Sequence, residues 1–148
     1  MAKIISFLLL CFAISGNAQV YNPVKWTTSV VKISESEYEL IIKASIEKGW
    51  HLYSQEVPKN GPLGTKFSFD GKGEYLKKGN TKEEEGDVVD DPIYGVKIKY
   101  FVNKTIFKQR IKTKNEIPQQ IKGMVEFMAC DDTKCLPPKQ TELVFKIR

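Results

Sequence analysis

The sequence predicts an all-β fold, an immunoglobulin-like antiparallel β-sandwich. Short runs rich in β-branched and aromatic residues recur along the chain, each bounded by polar or glycine punctuation. No long stretch holds a 3.6-residue apolar period, so helix content should be low. Residues 19–148 have a length suited to one domain with its own core, and seven or eight short strands in such a length favour a two-layer sandwich.

In chain order, the first expected strands cover residues 26–33, 38–46 and 50–53, separated by Ser34-Glu35-Ser36-Glu37 and by Lys48-Gly49. Residues 58–64 carry two prolines and two glycines and read as a loop. A strand at 65–69 precedes residues 76–91, a polar, acidic stretch with Glu83-Glu84-Glu85 and Asp87. That stretch reads as a long loop, its glutamates solvated. Strands resume at 96–102 and 105–112, where Ile106, Gln109 and Ile111 are interleaved imperfectly with charged residues. The last two cover 123–129 and 141–147, with Leu143, Phe145 and Ile147 on one face.

The N-terminus combines Lys3, a short apolar run over 4–14, and the small residues Gly16 and Ala18. These are the parts of a secretory signal peptide, expected over residues 1–18. The apolar run is shorter than the roughly 20 residues a membrane span needs. Cys11 lies inside it, after the bulky Leu10, which argues against a lipoprotein anchor. Residues 19–148 are then expected as a periplasmic domain that does not span the membrane. The net charge is +5, and the lysines are dispersed rather than clustered, which together with export argues against a nucleic-acid partner.

Of the three cysteines, signal removal leaves Cys130 and Cys135, with four residues between them and followed by Leu136-Pro137-Pro138. Asp131 and Asp132 are good turn formers, and a hairpin there brings the α-carbons within the roughly 4.4–6.8 Å of a disulfide. The two prolines suit irregular or edge geometry, which puts the pair at an accessible end of the sandwich rather than in its core. A structural staple is the common fate of such a pair in an exported protein. Closing so short a loop, however, removes only about 2 kcal/mol of unfolded-state entropy. Asp131 and Asp132 should raise the thiol pKa and Lys134 oppose them. The single histidine, His51, is remote in sequence, so a Cys-His hydrolase has no support. Cys130, Cys135, Met124, Met128 and His51 include soft ligands that would suit Cu(I). Met124 and Met128 read instead as core-facing packing residues, and zinc would want four ligands where two are evident. No metal and no cofactor is assigned.

Three segments resemble the N-terminal periplasmic domain of the DsbD thiol:disulfide interchange family. Gly49-Trp50-His51-Leu52-Tyr53-Ser54 with Asn60-Gly61-Pro62-Leu63-Gly64-Thr65 is similar to the family's early strand and proline-rich loop. Asp91-Pro92-Ile93-Tyr94-Gly95 is similar to its acidic-aromatic cap loop. The segment from Cys130 to Cys135, with Leu136-Pro137-Pro138, looks like its active-site cysteines and the double proline after them. The resemblance implies an immunoglobulin-like sandwich that takes electrons from a thioredoxin-like or membrane-embedded donor and passes them to oxidised periplasmic thiol proteins. It makes Cys135 the cysteine that forms mixed disulfides and Cys130 the one that resolves them. Asp90 or Asp91 would modulate the thiols, Ile93 and Tyr94 would form a shielding cap, and Tyr53 with His51 would line the site. Full-length members continue into a transmembrane and a thioredoxin-like domain where this sequence ends at Arg148, so separate proteins are the expected electron donors. Taken alone, Trp50 and Tyr53 equally suit packing in a sandwich, and His51 a structural or surface position. The alternative from another class is an immunoglobulin-like binding or adhesion module whose disulfide is a staple.

Overall fold

A computed structural model describes residues 21–71 and 73–147; the expected signal segment, with Cys11, lies outside the described residues. Among those residues the regular structure is all strand: β1 (Val24–Lys32), β2 (Glu37–Ile46), β3 (His51–Tyr53), β4 (Lys66–Phe69), β5 (Tyr75–Glu83) and β6 (Asp87–Asp90). They continue as β7 (Lys97–Phe101), β8 (Lys104–Thr113), β9 (Gln120–Phe127), β10 (Ala129–Cys130) and β11 (Lys139–Lys146). One sheet has the order β1-β2-β8-β5, a second β10-β3-β7-β6 and a third β11-β9-β4. Every pairing between these strands is antiparallel.

Strict alternation along β2 and β8 builds the first layer. Leu40, Ile42 and Ala44 on β2, with Phe107 and Ile111 on β8, are buried, while Lys43, Lys108, Arg110 and Lys112 face water. Their inward faces share one apolar cluster with Leu52 and Phe101 of the second sheet and Ile121, Val125, Leu143 and Phe145 of the third. Trp26 joins the layers, its ring 6.0 Å from Phe67 and 5.2 Å from Phe127. The fold is therefore the expected immunoglobulin-like sandwich, with β4, β7 and β8 within a residue or so of their expected limits.

Residues 76–91 differ from expectation: they form most of β5 and all of β6. The stretch pairs along β8 as an edge strand with its outer row exposed, so a strand forms there without an apolar alternation to announce it. Its register shifts between Lys78 and Lys82, where Gly79 adopts φ 71°, a left-handed geometry that favours glycine. Gln109 explains the imperfect pattern of β8. Fully buried, it donates through Nε2 to the carbonyls of Gly79 and Arg110 and accepts from the Thr81 hydroxyl at 2.8 Å, satisfying polar groups that the bulge leaves unpaired. Ile106 lies on the opposite face of the strand.

A second correction concerns Met124, whereas Met128 packs on a buried cluster as expected. Ile121, Gly123, Val125 and Phe127 take the inward positions of β9, so Met124 lies on the outer face, opposite Ser68 and Glu142. Met128 interrupts the strand. The chain leaves the third sheet there and enters the second at β10, and this crossing brings the cysteine hairpin to β3.

Candidate functional site

β3 is buried on both of its faces. Leu52 and its register partner Ala129 belong to the main core. Tyr53 and Cys130 point the other way, into a second cluster with Ile98, flanked by Val57, Tyr94, Tyr100, Met128 and Cys135. This outer face of the second sheet is made interior by the 91–96 turn between β6 and β7. The pair is thus not at an open end of the sandwich: Cys130 is 0% exposed, and only Cys135 is partly accessible.

Cys130 and Cys135 are joined by a disulfide with α-carbons 4.0 Å apart, inside a tight hairpin. The hairpin closes through Asp131 N–H to the Lys134 carbonyl and Leu136 N–H to the Ala129 carbonyl, both 2.9 Å. Asp131 Oδ1 accepts from the backbone of Thr133 and Lys134, each at 2.8 Å, and from the Thr133 hydroxyl. Those bonds hold its carboxyl below the usual range. An apolar groove of about 330 Å³ borders the hairpin, lined by Tyr21, Pro23, Phe127, Leu136 and both prolines.

Asp91 organises the 91–96 turn. It is buried, and its Oδ1 accepts the N–H groups of Ile93 and Tyr94, each at 2.9 Å. Its Oδ2 accepts the Tyr53 hydroxyl at 3.1 Å. The turn also closes on itself, with Asp91 N–H on the Val96 carbonyl and Gly95 N–H on the Asp91 carbonyl. Tyr94 reaches the sulfurs: its hydroxyl lies 3.9 Å from Cys135 Sγ and 3.6 Å from Met128 Sδ. Ile93, its neighbour in the expected cap, is 40% exposed. Asp90 faces outward and pairs with Lys97, so of the two candidate aspartates only Asp91 enters the site.

His51 is buried rather than at the surface, its ring stacked on Tyr100 at 4.5 Å between centroids. Its Nε2 lies 3.1 Å from the Tyr53 hydroxyl, so His51, Tyr53 and Asp91 form one hydrogen-bonded chain. Burial, then the Asp91 charge and hydrogen bond, push the Tyr53 phenol far above its ordinary pKa. Burial also lowers the pKa of His51, against the opposing pull of Asp91, Asp132 and Asp131. Trp50 is a core residue.

Tyr100, Ile98 and Glu83 were not among the expected site residues. Ile98 and Tyr100 share a strand face by their spacing of two, which was the available signal. Glu83, read as solvated, is mostly buried: it accepts from Ser54 Oγ and Gln55 N–H and pairs with Lys99 at 3.1 Å. Burial works against its charge, but those donors and Lys99 outweigh it and its pKa falls. It ties the end of β5 to the residue following Tyr53. Among the described residues, no group of three or more His, Cys, Asp or Glu side chains could hold a metal.

The sequence model of the family described as thiol:disulfide interchange protein DsbD, N-terminal, matches residues 22–146. The chain belongs to this family. Among solved structures, the chain is similar to the reduced DsbD N-terminal domain of Neisseria meningitidis, with TM-score 0.55 and 13% identity over 83% of each chain. It is also similar to the N-terminal periplasmic domain of ScsB from Proteus mirabilis, with TM-score 0.57 and 12% identity, covering 84% of this chain and 45% of that one. At such identities these structures speak for the fold alone. No curated sequence matches significantly. Membership of the DsbD N-terminal family favours thiol:disulfide interchange over the binding-module alternative.

Proposed function

We propose that this domain passes electrons through Cys130 and Cys135 to oxidised exported proteins, taking them from a thioredoxin-like or membrane-embedded donor. The asymmetry of the two sulfurs is the observation that carries this reading. A mixed disulfide forms on a sulfur that a partner can reach, and Cys135, half-covered by Tyr94, is that sulfur. Cys130, enclosed beside it, is suited to attack Cys135 from within and release the partner. The cap supports the same reading, because a purely structural staple needs no buried aspartate holding a tyrosine over one sulfur. Export by residues 1–18 and a periplasmic location complete the proposal, in keeping with the family match.

Two cysteine variants test it. Cys130→Ser should accumulate mixed disulfides with exported proteins through Cys135, visible as adducts that a reductant releases, while Cys135→Ser should form none. A reduction potential of the wild-type pair between about −180 and −280 mV supports exchange, whereas a value below about −300 mV marks a structural bond and sinks the proposal.

A further inference from the structure

We propose that His51 is the general base for Cys130, taking its proton when that thiol resolves a mixed disulfide. This rests on the interchange reading above and adds the residue that makes a buried thiol usable.

The need arises from burial. Cys130 has no exposed surface, and its sulfur lies among Tyr53, Ile98 and Met128. A thiolate formed there is penalised by desolvation, and the sulfur is shielded from bulk solvent. His51 is the register partner of Cys130 across the β3–β10 pair. Directly opposed residues have β-carbons about 4.5–5.5 Å apart on the same sheet face.

The hydrogen-bond chain fixes how the imidazole can act. Tyr53 has one hydroxyl proton and donates it to Asp91 Oδ2. The contact between Tyr53 and His51 Nε2 is therefore donated by the imidazole. In the neutral ring Nε2 then carries the proton and Nδ1 keeps the lone pair, leaving Nδ1 as the atom that can receive one.

The groups around His51 leave it as the base. Tyr53 on its own strand and Tyr100 on β7 are both pushed above the ordinary phenol range, so neither ionises near neutrality. Asp91 from the cap is engaged by three donors. Burial favours the neutral ring and outweighs the pull toward the imidazolium from Asp91 and from Asp132 and Asp131 of the hairpin. His51 thus rests neutral at neutral pH, with carboxylates near enough to stabilise the charge once it takes a proton.

With an acceptor held on Cys135, the Cys130 proton passes to His51, and the Cys130 thiolate attacks Cys135 Sγ. The Cys130–Cys135 bond forms, the bond from Cys135 to the acceptor breaks, and the acceptor sulfur leaves with the electron pair as a thiolate to be protonated. In the other direction a donor thiolate attacks Cys135 and Cys130 leaves as a thiolate, its proton coming from solvent because the imidazole is neutral in the disulfide state.

Dithionitrobenzoate separates the events in the reduced protein. Attack by Cys135 releases one thionitrobenzoate; attack by Cys130 on the resulting adduct releases the second in a step independent of reagent concentration. In the wild type, the rate of that second step should rise through the imidazole titration and then level. His51→Gln keeps a donor for Tyr53 but holds no proton near neutrality, and should slow the second release about 100-fold, with a rate that climbs with hydroxide and does not level. Equal rates and equal pH profiles in the two proteins overturn the role of His51 alone. No second release even in the wild type overturns the interchange reading and this proposal together. Should His51→Gln fail to fold, the wild type still decides. His51 is the sole histidine, so its imidazole NMR signals are unambiguous. Their titration midpoint in the reduced protein should coincide with the midpoint of the rise in the second-release rate; a rate that rises at a different pH overturns the proposal.

Discussion

Two buried clusters lie on opposite faces of the second sheet, and they are held by different physics. The main core is apolar nearly throughout, with Leu40, Ile42, Phe107, Val125 and Phe145 interdigitating between the layers. Its cohesion is removed area and filled volume, about 1.5–3 kcal/mol for each such side chain. The second cluster is smaller, with Ile98, Val57 and Met128 around the sulfurs, and adds directional bonds: Asp91 to Tyr53, Ile93 and Tyr94, and His51 to Tyr53. The first can therefore specify a fold without specifying a chemistry. The second holds a few particular atoms in place around the disulfide, where the proposed exchange would occur.

The largest expected effect breaks the first cluster and spares the second. Phe107 is fully buried and touches the rings of Trp26, Phe67 and Phe101. Phe107→Ala should cost about 3–5 kcal/mol of stability, measured by denaturant unfolding. The rate at which a small thiol reduces the folded protein's disulfide should stay unchanged. A parallel rise in that rate would mean the clusters are one cooperative unit.

The clusters also differ in how far they could be read beforehand. The main core follows from alternation: Phe107 and Ile111, or Leu143 and Phe145, recur at a spacing of two between charged neighbours. The cysteine hairpin, its turn-forming aspartates and the cap segment were legible as local motifs. That Cys130 is buried was not. Along one strand Ala129 and Cys130 point to opposite faces, and alternation assigns one of them to water. The cover over Cys130 comes from the 91–96 turn, remote in sequence, and no local pattern reports it. β5 escaped detection for the complementary reason, being an edge strand held by backbone pairing to β8 and by the Gln109 amide, with little apolar surface of its own.

A smaller effect targets the second cluster. Asp91→Ala removes the acceptor of three hydrogen bonds in a buried place, and should lower stability by about 1–3 kcal/mol. The loss falls on the cap, so Tyr94 should leave Cys135 more often. Reduction of the disulfide by a small thiol should speed up by as much as about tenfold, the equivalent of about 1.4 kcal/mol in the opening equilibrium. Stability loss with an unchanged reduction rate would show that Tyr94 does not limit access.

Asp90 supplies the smallest effect and the sharpest control. It is the adjacent carboxylate, one residue earlier in the same acidic segment, and the sequence offers no reason to prefer one over the other. Strand parity separates them. Asp90, the last residue of β6, turns outward to pair with Lys97 at 3.0 Å, with the two side chains 79% and 72% exposed. An ion pair so open to water is screened and costs side-chain entropy to hold, so Asp90→Ala should move stability by no more than about 0.5 kcal/mol. Reduction of the disulfide should proceed at the wild-type rate. If Asp90→Ala accelerated reduction as Asp91→Ala is expected to, negative charge near the cap, rather than the hydrogen bonds that Asp91 accepts, would be what restrains access to Cys135.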